Sequence, residues 1–174
     1  FLLVDPTQTP IFAQNLERFG LTLRDTFILE QNLKYQIQGG DPSFAILDQD
    51  SFVSHPMFSM KNQTLLVQGL RSVQPSDPPK DNINVLPLAF TSEHSWAESD
   101  YLSDAPTRSE EDITGPVPIL ALSTIQSESS SPGRLLVMGS SSILLNELIG
   151  FAPANRDFIL NIIAYLVGED SQIA

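Results

Sequence analysis

Two histidines, His55 and His94, stand among many serines. A serine beside an imidazole, with an acid to orient the ring, is the constellation of acyl-transfer hydrolysis. His55 lies in Ser54-His55-Pro56, just before Met57 and Phe58, and His94 lies in Ser92-Glu93-His94-Ser95-Trp96. No Gly-x-Ser-x-Gly elbow accompanies either histidine. Serine is abundant, so a nearby Ser–His pair arises cheaply by chance. A Ser/His hydrolase acting on carbohydrate or peptide is therefore the alternative reading and not the leading one. It requires a histidine within hydrogen-bond reach of a serine in a concave pocket. The chain has no cysteine, which removes a thiolate nucleophile, a disulfide framework and any Cys-bearing zinc site. A His/carboxylate metal site is the option that remains, and no His-Glu-x-x-His occurs. The acidic stretch from Glu98 to Asp112 does not have the EF-hand spacing, and a solvated loop accounts for it better. No metal or cofactor is expected.

Binding is the other chemistry to weigh. Gly139-Ser140-Ser141-Ser142 falls between a strand-like run and a helix-like one. Backbone N–H groups at a helix start favour anions, and the carboxyl edge of an open α/β sheet is where ligands sit. The segment is neither a Walker loop nor a Gly-x-Gly-x-x-Gly fingerprint, and Ser140 or Ser141 as an N-cap explains the serines more simply. Trp96 is the single tryptophan. Exposed beside Ser95 and Glu98, it would stack on a sugar or anchor a partner; a buried core position is the preferred reading. His55, Ser95, Trp96, Glu98, Gly139, Ser140 and Ser141 form the candidate ligand-binding set. In Asn155-Arg156-Asp157, Asn155 is expected to cap the last helix, Asp157 to face its dipole, and Arg156 to pair with an upstream carboxylate.

These residues need elements to hold them. Strand-like runs occur at Phe1–Asp5, Thr26–Glu30, Thr64–Gly69, Ile83–Thr91, Pro118–Ile125 and Arg134–Gly139. Several are short, continuous and rich in Leu, Ile and Val, as in strands buried on both faces. Helical spacing predicts helices over Pro10–Phe19, Ser141–Ile149 and Asn155–Val167, stopping at Gly20, Gly150 and Gly168. Ser72–Asn82, Ala97–Gly115 and Gln126–Gly133 read as loops, the second strongly acidic. Strand, helix and a further helix in succession imply an α/β fold.

The chain has 174 residues, 41% apolar and 17% charged, which suits one folded domain over 1–174 with the acidic loop 97–115 inside it. Nine basic residues against 21 acidic ones leave a net charge of −12. Phosphate or an anionic lipid surface would meet a repulsive field, so neither nucleic acid nor direct membrane insertion is expected. No apolar run reaches the roughly 18 residues of a membrane span. The opening Phe1-Leu2-Leu3-Val4-Asp5 already reads as a strand, so the chain is expected to be part of a longer protein.

Several segments in order resemble one family. Phe1-Leu2-Leu3-Val4-Asp5-Pro6 and Leu16-Glu17-Arg18-Phe19-Gly20-Leu21 are similar to the opening strand-Asp-Pro and Leu-x-x-aromatic-Gly segments of the extracytoplasmic domain of ABC-type uncharacterised transport system auxiliary proteins, the GldG-like gliding-motility proteins among them. Ser54-His55-Pro56, Thr91-Ser92-Glu93-His94-Ser95-Trp96-Ala97-Glu98 and Gly115-Pro116-Val117-Pro118 look like further segments of that family. So do Arg134-Leu135-Leu136-Val137-Met138-Gly139-Ser140-Ser141, Asn155-Arg156-Asp157-Phe158-Ile159-Leu160-Asn161 and Leu166-Val167-Gly168-Glu169-Asp170. The likeness covers nearly the whole chain, with one departure: Ser140 stands where the family usually has an acid after the glycine.

The resemblance implies a Rossmann-like open sheet flanked by helices, distantly like class I glutamine amidotransferases and without their catalysis. It implies a non-catalytic auxiliary or binding module of a bacterial ABC-type export or gliding system. Its place would be the periplasmic, extracytoplasmic side of the cytoplasmic membrane, anchored by transmembrane segments outside this chain. Its partners would be ABC permease and ATPase subunits. If strands preceding Phe1–Asp5 are missing, an exposed sheet edge invites pairing between chains. A structural module that assembles by such pairing is the third reading, and it predicts a homo-oligomer.

Overall fold

The structure, a computed structural model, describes residues 1–6, 9–58, 62–102, 106–127 and 131–168. Residues 103–105 of the acidic loop, residues 128–130 of the loop 126–133, and Glu169-Asp170 lie outside the described residues. The elements run β1 (Leu2–Leu3), α1 (Pro10–Glu17), β2 (Leu21–Leu23), β3 (Phe27–Leu29), β4 (Phe44–Leu47), β5 (Leu65–Gln68), β6 (Val73–Pro75), β7 (Ile83–Phe90), β8 (Trp96–Glu98), β9 (Ile113–Thr114), β10 (Pro118–Ile125), β11 (Gly133–Met138), α2 (Asn146–Phe151) and α3 (Ala154–Val167).

The main sheet has the order β1-β11-β10-β7. Strand β1 runs parallel to β11, with Leu2 opposite Val137 and Leu3 opposite Met138. The pairs β10–β11 and β10–β7 are antiparallel. The period of two along a strand sorts side chains to opposite faces. Leu120, Leu122, Leu136 and Met138 point to one face and pack with Phe158, Ile159 and Ile162 of α3. Ala121 and Val137 point to the other and pack with Leu16 of α1, Leu21, Leu23 and Val73. Both faces of the sheet are therefore covered, as the unbroken apolar runs imply. Each fully buried Leu or Ile contributes about 1.5–3 kcal/mol. Pro87 sits in β7, an outer strand of this sheet, where a missing N–H is tolerated.

Three smaller sheets pair β2 with β6, β3 with β8 and β9, and β4 with β5. The α/β class is borne out: helices and several sheets mix, and no barrel closes among the described residues. No described helix is long and apolar enough to cross a membrane.

Four expectations are corrected. The stretch Ser141–Ile149 is not one helix: a 3-10 turn at Ser142–Leu144 precedes α2, which runs through Gly150. Asn155 does not cap α3, because it lies inside the helix with its side chain turned to β5. Arg156 pairs with its neighbour Asp157, 3.1 Å away, and not with an upstream carboxylate. The loops 72–82 and 97–115 are not wholly irregular: the first contains β6, and the second begins in β8 and ends in β9. Gly20 and Gly168 do take the left-handed conformation after their helices, with φ of 72° and 79°.

Candidate functional site

Because β1 and β11 are parallel, their carboxyl ends meet at one edge of the sheet. Asp5 follows β1 there and the Gly139–Ser142 segment follows β11. The Ser141 N–H donates to Asp5 Oδ1 at 2.6 Å and the Ser141 hydroxyl donates to Oδ2 at 2.7 Å. The donors that suit an external anion are thus held by the chain's own carboxylate. Gly139 is where two backbones cross: Arg71 N–H donates to its carbonyl at 2.8 Å, and its own N–H donates to Ile119 at 2.9 Å. A Cβ on Gly139 would overlap the Arg71 carbonyl oxygen. The buried Arg71 guanidinium donates to the carbonyls of Asp5 (3.1 Å) and Arg24 (2.6 Å) and to Thr9 Oγ1 (3.2 Å). Burial lowers its pKa, against the pull of nearby Asp25.

The next contacts close the edge of β5. Leu66 N–H donates to Asn155 Oδ1 at 3.0 Å, and Asn155 Nδ2 donates to the Leu66 carbonyl at 2.8 Å. The amide side chain thereby replaces a neighbouring strand. Two residues on, Gln68 N–H donates to Ser142 Oγ at 2.8 Å and Ser140 Oγ donates to the Gln68 carbonyl at 2.8 Å. The two hydroxyls lie 2.9 Å apart. With Ser140's proton on Gln68, the Ser142 proton completes the ring, since each hydroxyl has one proton to give. The serines of 139–142 thus serve neither as an N-cap nor as an open cradle.

The Ser92–Glu98 segment is also turned inward. Ser95 Oγ donates to the Ser92 carbonyl at 2.8 Å and lies 2.6 Å from Thr91 Oγ1. Trp96 is 6% exposed, which settles it as a core residue, and its Nε1–H donates to Glu98 Oε2 at 3.1 Å. Glu98 itself is buried; its other oxygen accepts from Asp100 N–H at 3.0 Å. A second buried carboxylate, Glu30, accepts from the Asn32 N–H at 2.8 Å and from Ser92 Oγ at 2.6 Å. Above it opens a polar groove of 740 Å3, lined by Asn32, Tyr35, Asp50, Phe90, Glu93 and His94 among others. Asp50 and Glu93 bring the carboxyl groups of this lining and His94 its imidazole.

His55 stands against Tyr165 and Phe58, with ring centroids 5.1 and 5.9 Å away. Its Nδ1 accepts from Met57 N–H at 3.3 Å. Burial lowers its pKa below the usual 6.5, and Arg134 adds to the effect. Among the described residues no serine hydroxyl hydrogen-bonds to either histidine ring. No group of three His, Asp or Glu side chains gathers as metal ligands among the described residues. In the acidic loop, partial burial pushes Asp112 up, but N–H and O–H donors from Ser109 and Ser99 hold its carboxyl below its usual value.

One surface has no counterpart in the sequence reading. The outer face of the β4–β5 hairpin and α2 enclose an apolar groove of 570 Å3, lined by Phe44, Ile46, Leu66, Leu145, Leu148 and Phe151 among others. The signal was in the chain: Leu65-Leu66-Val67 is a continuous apolar strand, which needs cover on both faces. Glu30 and Arg71 give no signal in the sequence, because Ser92 on the one side and Asp5 and Arg24 on the other lie far from them along the chain. No family model matches the chain, and no curated protein or solved structure matches it either.

Proposed function

We propose that the chain is a non-catalytic binding module of a bacterial ABC-type transport system, serving export or gliding and working on the extracytoplasmic side of the cytoplasmic membrane. It acts with the permease and ATPase subunits through the full-length, membrane-anchored protein. The finer fold we propose is a Rossmann-like sheet distantly similar to class I glutamine amidotransferases. The parallel β1–β11 pair, with α1 against one face and α3 against the other, supports that likeness.

One observation carries the functional reading. Six polar side chains of the motifs that resemble the auxiliary family, Asp5, Ser95, Trp96, Glu98, Ser141 and Asn155, are engaged with one another or with the chain's own backbone, while Glu93 and His94 line the open groove. Residues used in this way position a fold; they do not present a nucleophile or an acid–base pair to a substrate. Recognition then falls to surfaces. The experiment is affinity purification of the full-length protein from detergent-solubilised native membranes, followed by mass spectrometry. Recovery of permease and ATPase subunits is expected. Recovery of the protein alone from a soluble fraction overturns the reading.

A further inference from the structure

We propose that the groove between the β4–β5 hairpin and α2 docks an amphipathic, basic helix of a partner protein. The inference rests on the binding-module reading and names the surface and the chemistry it takes.

The hairpin has two apolar faces. Ala45, Leu47, Leu65 and Val67 point into the core, while Phe44, Ile46 and Leu66 line the groove. A hairpin with one face in water ordinarily alternates apolar with polar residues, and this one does not. The rim continues the apolar surface: Leu145 is 48% exposed and Phe151 82%. A single exposed leucine needs no explanation, but a contiguous apolar groove marks an interaction site.

Charge selects the occupant. Among the described residues, Glu147 is the ionisable one in the lining, and the whole chain carries −12. A fatty acid or anionic lipid would bring its head group against Glu147 with no cation among the described lining residues to receive it. A second copy would bring another −12 and, across a two-fold axis, a second Glu147 into the same contact. A basic partner meets attraction instead, at close range from Glu147 and at long range from the chain. Backbone geometry selects the shape. The β5 edge bordering the groove is already closed by Asn155 and Ser142, so an extended peptide cannot join β5, the strand beside α2. A helix needs no strand edge, because it docks through side chains at helical spacing.

The test uses labelled synthetic helices of about 18 residues, long enough to fold on an apolar surface. One is a leucine–lysine amphipath and the other its leucine–glutamate counterpart. Binding is followed by fluorescence anisotropy in added salt, which screens the general attraction between exposed charges. The leucine–lysine helix is expected to bind at least about tenfold more tightly than its counterpart, and Leu145→Ser with Phe151→Ser to weaken it by about tenfold or more. Glu147→Lys should narrow or invert the preference. Circular dichroism and thermal melting check that the variants fold. Equal binding to the double variant overturns the inference. So does displacement of the helix from the groove by laurate, or a wild-type dimer in sedimentation that the double variant abolishes. The two readings fail separately. If the full-length double variant still recovers transporter subunits at the wild-type level, the module reading stands and the groove inference falls. If no subunit is recovered while the helix still binds through the groove, the reverse holds.

Discussion

Strand β5 has two different borders. Along one edge its backbone is closed by Asn155, Ser140 and Ser142, each partner 2.8–3.0 Å away. Over its outer face, beside α2, lies an apolar groove with little polar lining. The polar seam carries the residues that look functional by type: serines after a glycine, a carboxylate, a conspicuous asparagine. The groove carries Leu, Ile and Phe, which look like ordinary core. The difference teaches that residue type locates chemistry only when the groups have no partner inside the chain. Here the polar groups are engaged, while Leu145 and Phe151 at the rim of the groove stay exposed.

The harshest way to break the seam is at its crossing point. Gly139→Ala places a methyl group onto the Arg71 carbonyl oxygen, and backbone cannot yield as a flexible side chain can. A loss of about 3 kcal/mol or more is expected, or failure to fold. Urea unfolding measures it, and a wild-type midpoint would show that the crossing is loose. Next comes Asn155→Ala. It strands the buried Leu66 N–H and carbonyl together, each costing about 1–3 kcal/mol unless water replaces the amide. A loss of about 2–4 kcal/mol in the same assay is expected. A loss below about 1 kcal/mol would mean that water enters and the edge is not sealed.

Which parts of this were legible follows from range. The six strand-like runs all contain strands, because buried strands announce themselves by local composition. The strands β2, β4, β6, β8 and β9 span two to four residues, too few to show a period, and pairing partners define them. The spacing of Ile143, Leu144, Leu148 and Ile149 is helical, yet the chain turns at Leu145 because Ser142 is held on the β5 backbone. The family resemblance brought both Asp5 and Ser141 to notice. That they meet across 136 residues had no local signal. Asn155 reads as a cap for the same reason: Leu66 lies 89 residues away, and nothing near Asn155 records it.

A milder cut spares the buried core of the seam. Asp5→Ala removes a carboxylate that holds the Ser141 N–H and hydroxyl, but Asp5 is exposed and water replaces much of what is lost. About 1 kcal/mol is expected. The same variant vacates the anion-like cradle, so isothermal titration with inorganic phosphate sharpens the comparison. No heat is expected with the wild type, whose cradle is filled. Phosphate binding by the wild type would show the seam to be open after all.

A smaller effect comes from acid. His55 packs on Phe58 and Tyr165, on the side of the molecule that α3 covers. Its pKa is lowered from 6.5, first by burial and then by Arg134. The unfolded chain therefore binds the proton at a higher pH than the folded one. Stability is fully present above the unfolded value and is lost as pH falls through the folded one. Between about pH 7.5 and about pH 5 the wild type should lose more stability than His55→Gln. Parallel losses would mean that the ring charges freely where it stands.

The smallest expected effect separates the two regions most cleanly. Phe151 is 82% exposed, so it contributes little apolar burial within this chain. Phe151→Ser should change the unfolding free energy by no more than about 0.5 kcal/mol, the range for surface positions without a structural role. A groove that belonged to the fold would behave otherwise: opening it would cost stability, as filling or emptying a core does. A neutral result in unfolding together with a loss in helix binding would assign the groove to recognition and the seam to architecture. A loss of about 2 kcal/mol or more would mean that Phe151 packs into the domain in solution, and the apparent opening would close on the chain itself.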